Sequence, residues 1–227
     1  SGGRAMLLGG GAFATPRHVF WNFVSSSRDH KRAWFRIANA ETGEVRTLFE
    51  ESSPTHIGDA ALSEDLWRVL PASNELIWWS HRDNWLHLYL YDLTTGRLKN
   101  RITAGEGNVS SIVHIDERAR QIYFMGQGKE PGRDPYFQHL YRIGFDGRNQ
   151  RLLTPEDAHH MVALSPDGRW IVDSYSTPTT PPVTVLRDAM EAGGSPMTAA
   201  EYFLPGTQPG AVRMLGWRMF DWGPIVP

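Results

Sequence analysis

Short β segments recur along this chain at a fixed interval. Thr42-Gly43 and Thr95-Gly96 lie 53 residues apart, and His87-Leu-Tyr89 and His139-Leu-Tyr141 lie 52 apart. Each Thr-Gly pair separates two runs of strand-forming residues: Phe35 to Ala40 and Val45 to Phe49 in the first copy, Leu88 to Asp92 and Arg97 to Thr103 in the second. Glycine tolerates the positive φ that such hairpin turns need. Ile143 to Gly147 followed by Arg151 to Thr154 repeats the arrangement with Asp-Gly at the turn. Ser165-Pro-Asp-Gly168 followed by Arg169 to Val172 is a further hairpin. About four short strands in every 50 or so residues is the signature of propeller blades. A β-sandwich also has short strands and regular turns, but it does not repeat sequence at a fixed interval.

The expected fold is therefore all-β, a partial β-propeller of three to four blades of four-stranded antiparallel sheet with irregular N- and C-terminal segments. Residues 34–51 end one blade, 66–104 form a second, 110–154 a third and 160–188 most of a fourth. The strand aromatics Trp78, Trp79, Tyr89, Tyr91, Tyr123, Phe124, Tyr141 and Trp170 read as packing between blades, since aromatic side chains dominate core burial. Ring closure takes four to eight blades, so a shorter series leaves open edges. The ends lack the period. Residues 1–33 contain Gly9-Gly10-Gly11. Residues 189–227 hold Gly193-Gly194, Pro196, Pro205, Pro209, Gly210, Pro224 and Pro227, leaving room for at most a short helix around Met197 to Phe203.

Composition narrows the function classes. With 23 basic and 25 acidic residues the net charge is -2, which gives no electrostatic reason to expect a nucleic acid or an anionic membrane as partner. No apolar run is long enough to span a bilayer. The absence of cysteine excludes disulfides and thiolate chemistry and leaves the compartment open, since a periplasmic protein can also lack cysteine. The chain begins at Ser1 without a methionine, which reads as an excised segment.

Several stretches resemble the propeller of the dipeptidyl peptidase IV branch of the prolyl oligopeptidase family: Trp67 to Leu70, Asn74 to Ser80, Arg82-Asp83, His87 to Asp92, Asp134 to Phe137, His139 to Tyr141, Leu164 to Gly168 and Asp173 to Pro178. The likeness runs over roughly residues 35–188, and Leu86 departs from the glycine expected beside Arg82-Asp83. The resemblance implies a serine exopeptidase that releases N-terminal dipeptides, in which the propeller caps an α/β-hydrolase domain. The partners it implies are that hydrolase domain, further blades and, for the parent family, a peptide substrate. The hydrolase needs Gly-x-Ser-x-Gly to hold its nucleophile on a strained turn, and this sequence contains none. Ser195 follows Gly193-Gly194 but lacks the closing glycine. No catalytic residue, metal ligand or cofactor is therefore expected.

The family binds the substrate's amino terminus with a glutamate pair, which makes Glu50 and Glu51 the candidates for substrate binding. Their context matches a strand end downstream of where that motif belongs, so the default is a solvated strand end. Residues 4–30 resemble a different family. Arg17-His18, Trp21 to Ser27 and Arg28 are similar to the C-terminal cupin portion of pirin family proteins, whose metal ligands come from the N-terminal cupin. His18 alone cannot hold a metal, which needs three or four clustered ligands. The domain reading is thus 1–33 pirin-like, 34–188 propeller and 189–227 an irregular tail. The abrupt join points to a chimera, a computed sequence or a misassembled reading frame. Adjacent His159 and His160 point to opposite faces of a strand and rarely share an ion, even with Glu156 and Asp157 nearby. The function expected is a non-catalytic propeller segment of a dipeptidyl-peptidase-IV-like serine peptidase. The alternatives are a peptide- or protein-binding propeller, or an inactive chimeric chain.

Overall fold

The computed structural model describes residues 6–15, 18–57 and 67–190, with backbone alone before Phe20. Fifteen strands in this part of the chain form four antiparallel sheets, and within each sheet sequential strands are neighbours. The first sheet is β1 (Met6–Thr15), β2 (His18–Ser26), β3 (Arg32–Asn39) and β4 (Val45–Ser52). The second is β5 (Trp67–Leu70), β6 (Glu75–Ser80), β7 (His87–Asp92) and β8 (Leu98–Arg101). The third is β9 (Asn108–Asp116), β10 (Gln121–Gln127), β11 (Gln138–Gly144) and β12 (Arg151–Leu152). The fourth has three strands, β13 (His159–Leu164), β14 (Trp170–Thr177) and β15 (Thr180–Asp188).

The sheets stack as blades because their middle strands are apolar on both faces. All six residues of β6 are buried. Side chains alternate along a strand, so Leu76 and Trp78 face the first sheet while Ile77 and Trp79 face the third. The first interface packs Val24, Phe35 and Ile37 against Trp67, Trp78 and Tyr91. Phe49 from β4 stacks on Tyr91 at 4.2 Å and meets Trp78 edge-on at 5.2 Å. The second packs Leu88 and Leu90 against Ile122, Phe124 and Tyr141, and the third packs Tyr123, Met125 and Leu140 against Ile171. The expected aromatics thus lie between blades, except Trp170, which is half-buried beneath the Arg169 guanidinium at 4.8 Å.

The N-terminal segment set apart on sequence supplies two strands of the first blade. β2 pairs with β3 through Val24 opposite Phe35 and Trp21 opposite Ala38, so the sheet runs across residues 33 and 34 without a break. Glycines hid β1, because a strand interior poor in side chains has no alternating pattern to read. Its register shifts between Leu8 and Gly10. The His18 side chain, Ser195 and the short helix expected around Met197 to Phe203 all lie outside the described part.

The repeated turn glycines adopt the left-handed conformation expected of them, with φ of +73° at Gly43 and +71° at Gly96. Their surroundings differ. A Cβ at Gly43 would meet nothing within 4 Å, whereas one at Gly96 would lie 2.0 Å from the Leu48 carbonyl oxygen of the neighbouring blade. Gly43→Ala should therefore cost about 1 kcal/mol, the strain of a left-handed alanine. Gly96→Ala must also part the two blades and should cost well over about 2 kcal/mol. Urea unfolding of both variants checks this, and equal losses would contradict the close approach.

Candidate functional site

Glu50 and Glu51 occupy adjacent positions at the end of β4, so the pleat sends their carboxylates to opposite faces. Glu50 is exposed, accepts a 2.8 Å hydrogen bond from Trp34 Nε1 and lies 3.8 Å from Arg32. Glu51 is 8% exposed and faces the second blade. Its Oε1 accepts from Ser80 Oγ at 2.6 Å, and its Oε2 accepts from Trp78 Nε1 at 2.7 Å and Arg82 Nη2 at 2.6 Å. Of the two carboxylates, only that of Glu50 is solvated. The two carboxylates do not converge, and Glu51 already holds three donors of the roughly four it can accept.

The Glu51 carboxylate forms the floor of a crevice of about 540 Å³ between the first and second blades, whose rim includes Ser53, His56, His81, Arg82 and Asn84. Arg82 is held from several sides. It donates from Nη2 to the Tyr91 hydroxyl and from Nε to Ser80 Oγ, and its guanidinium lies 4.3 Å from the centre of the Tyr89 ring. Burial pushes the His81 imidazole down, against the opposing pull of Glu51. An ammonium group entering here would meet an acid already neutralised by arginine. Sequence reasoning named Glu51 but missed Ser80 and Arg82, although both stand in the Trp-Ser-His-Arg-Asp stretch that ends β6 and opens the following loop.

The 52-residue repeat has a chemical counterpart at the same end of the blades. His87 Nε2 faces the Gly105 carbonyl, which can only accept, so that nitrogen carries the proton. Its Nδ1 then accepts from the Thr103 hydroxyl, which in turn accepts the Leu88 N–H. One blade later Leu140 N–H donates to Thr154 Oγ1, and His139 Nδ1 donates to the Thr154 carbonyl. Burial pushes both imidazoles down. Tyr89 donates to Asp83 at 2.6 Å and Tyr141 to Glu130 at 2.8 Å, the second pair repeating the first. These His-Leu-Tyr groups pin β7 and β11 to the loops on either side of them.

In the fourth blade, ligand atoms of Glu156, His160 and Asp173 lie within 4.8 Å of one another, a spacing that could serve a metal ion. The Arg187 guanidinium stands among them instead. It donates to Asp173 Oδ2 at 2.9 Å from Nε and to Glu156 Oε2 at 2.7 Å from Nη2. His160 spends both ring nitrogens, Nδ1 on Asp173 and Nε2 on the Glu156 carbonyl. With the arginine supplying the positive charge, the cluster is an ion network and not a vacant ligand set. His160 is fully buried on the face toward the third blade, its ring 5.2 Å from that of His139 and tilted 46° to it.

A four-stranded meander repeated along the chain, with its core between successive sheets, defines a series of propeller blades. The chain belongs to the dipeptidyl peptidase IV N-terminal region family, which matches residues 7–182. It is 28% identical over 107 residues to dipeptidyl peptidase 4 of Arthroderma otae, covering 45% of this chain and 13% of that protein. Probable dipeptidyl peptidase 4 of Emericella nidulans is 23% identical over 189 residues, 78% of this chain and 23% of its own length. Among solved structures, a putative dipeptidyl aminopeptidase IV from Bacteroides ovatus superposes with a TM-score of 0.67 at 21% identity, over 85% of this chain and 28% of that one. Porphyromonas gingivalis dipeptidyl peptidase 4 gives 0.64 at 17%, over 75% and 23%. The structural likenesses carry the fold, and the chain spans about a quarter or less of most of these relatives.

Glu75 shows how the buried acids are held. It is 1% exposed, contacts Lys99, and accepts from Arg120 of the third blade at 2.8 and 3.1 Å. Burial pushes its carboxyl up, but hydrogen bonds from Arg120, Lys99 and Ser73 outweigh burial and hold it at about 2, against the usual 4.5. A pKa depressed in the folded state gives stability that is complete above the unfolded value and is lost as pH falls toward the folded one. Between pH 5 and pH 2 the chain should lose up to about 3 kcal/mol from this group. Glu75→Gln should flatten that part of the profile in urea melts at several pH values. An unchanged profile would contradict the assignment.

Proposed function

We propose that this chain is a non-catalytic propeller segment of a dipeptidyl-peptidase-IV-like serine peptidase, a protein that removes dipeptides from peptide N-termini. In that protein it works beside an α/β-hydrolase domain and further blades. The observation that carries this reading is the four-blade series whose span, residues 7–182, matches the N-terminal region of that family. The small share of each relative that the chain covers supports a partner domain carrying the chemistry. The chain's own sequence supplies no Gly-x-Ser-x-Gly.

In this reading the blades shape and guard access to a peptide site, and Glu51 and Arg82 brace two blades against each other. Residues 6–26 act as blade strands, and their pirin-like wording takes no separate metal-binding or partner role. The purified chain should take up no fluorophosphonate by intact mass and release no nitroaniline from Gly-Pro-4-nitroanilide. A stoichiometric adduct together with turnover would overturn the reading.

A further inference from the structure

A cavity of about 610 Å³ lies at the hairpin end of the third sheet and reaches β7 and β8 of the second through Leu90 and Lys99. Four cations line it, Lys99, Arg120, Arg142 and Arg151, against one carboxylate, Asp146. Lys99 and Arg120 share the buried Glu75. Arg142 and Arg151 have no such acid, and neither forms an ion pair among the described residues. Arg142 is 8% exposed, donates from Nη1 to the Ala189 carbonyl at 2.8 Å and contacts Met190 Sδ at 3.8 Å. Its Nε and Nη2 have no hydrogen-bond partner among the described residues, yet they are not sealed from solvent. The Arg151 side chain is exposed and makes no hydrogen bond there.

The strand register sets these two arginines side by side. β12 is two residues long, and in it Arg151 stands directly opposite Arg142 of β11. Opposed residues of an antiparallel pair share a face with their Cβ atoms about 5 Å apart, and like charges so placed destabilise the sheet. A buried guanidinium without a counter-charge is costly as well. The buried Arg187, by contrast, is answered by Asp173 and Glu156. What Arg142 and Arg151 lack is what a bound anion supplies. The chain as a whole carries a net charge of -2, so the positive excess is local to this cavity. Guanidinium groups present planar N–H pairs that match the oxygens of a phosphate, and two of them on neighbouring strands can hold one such group. The volume leaves room for a few atoms beyond the phosphate itself, beside the unengaged Gln121 side-chain amide.

We propose that this cavity binds a phosphate dianion, free or as the end group of a small molecule, held jointly by Arg142 and Arg151. The reading does not rest on any peptidase role. Inorganic phosphate titrated into the unmodified chain at constant ionic strength should saturate at about 1 mM or below and move the Nε–H signals of both arginines in ¹⁵N–¹H spectra. Arg151→Gln should weaken phosphate binding about tenfold or more. By removing the repulsion it should also raise the melting temperature of the phosphate-free chain. Lys31→Gln removes one positive charge outside the cavity lining and should leave phosphate affinity unchanged. Glycerol 3-phosphate binding more tightly than phosphate would support a phosphate monoester as the ligand, and weaker binding would support the free ion. Failure of phosphate to saturate, or affinities that Arg151→Gln and Lys31→Gln change equally, would overturn the proposal.

Discussion

Buried carboxylates lie at every interface between these blades, and each is matched by an arginine. Glu51 of the first sheet takes Arg82, Trp78 and Ser80 from the second. Glu75 of the second takes Arg120 from the third. Asp173 of the fourth takes Arg187, which also reaches Glu156 in the segment arriving from the third. Burying an ion pair gains little over a well-packed apolar pair, but removing one partner is severe, because a bare charge is then left in low dielectric. Flat aromatic and aliphatic surfaces such as Tyr91 on Phe49 would tolerate sliding. A carboxylate that must find its arginine does not. Glu51 and Glu75, whose arginines come from the next blade, therefore act as register pins, on top of the area that drives the stacking.

The same pins decide what the ends of the blades can offer. At the loop end, Arg82 is fastened by Glu51, Tyr91 and Ser80, so the crevice above it presents a rigid polar floor with its charges already balanced. The His87 and His139 groups fasten the following loops in the same way, with their imidazoles kept neutral by burial. This end is consequently a scaffold that holds loops still. At the hairpin end the first interface instead buries Asn22 Oδ1 without a partner among the described residues.

Legibility in the sequence followed side-chain periodicity. Glu75-Leu-Ile-Trp-Trp is apolar without alternation, the pattern of a strand covered on both faces, and β6 is such a strand. The turn glycines announced the hairpins through a backbone requirement that operates locally. β1 was illegible because Gly9, Gly10 and Gly11 remove the side chains that would have shown a period. The ion pairs were illegible for another reason. Glu51 and Arg82 are 31 residues apart, and Glu75 and Arg120 are 45 apart, so nothing local couples them. A charge inside an apolar strand run, as at Glu75 or at Arg187 after Val185-Leu186, was the available signal. It marks a buried partner without saying which one.

The fourth sheet carries the logic of stacking to its last step. Its face toward the third sheet is sealed by Ile171, Asp173 and His160, all fully buried. Alternation puts Met161 and Val172 on the other face, where they are 66% and 44% exposed. At the preceding interfaces the corresponding outward residues of a middle strand, such as Trp79, are completely covered. Among the described residues β15 has no further strand beside it, since this sheet has three strands where the others have four. Its first half contains Pro181 and Pro182, which cannot donate to another strand and so blunt that stretch of the edge. This face, with its two exposed apolar residues, is therefore the side of the series that no described sheet covers.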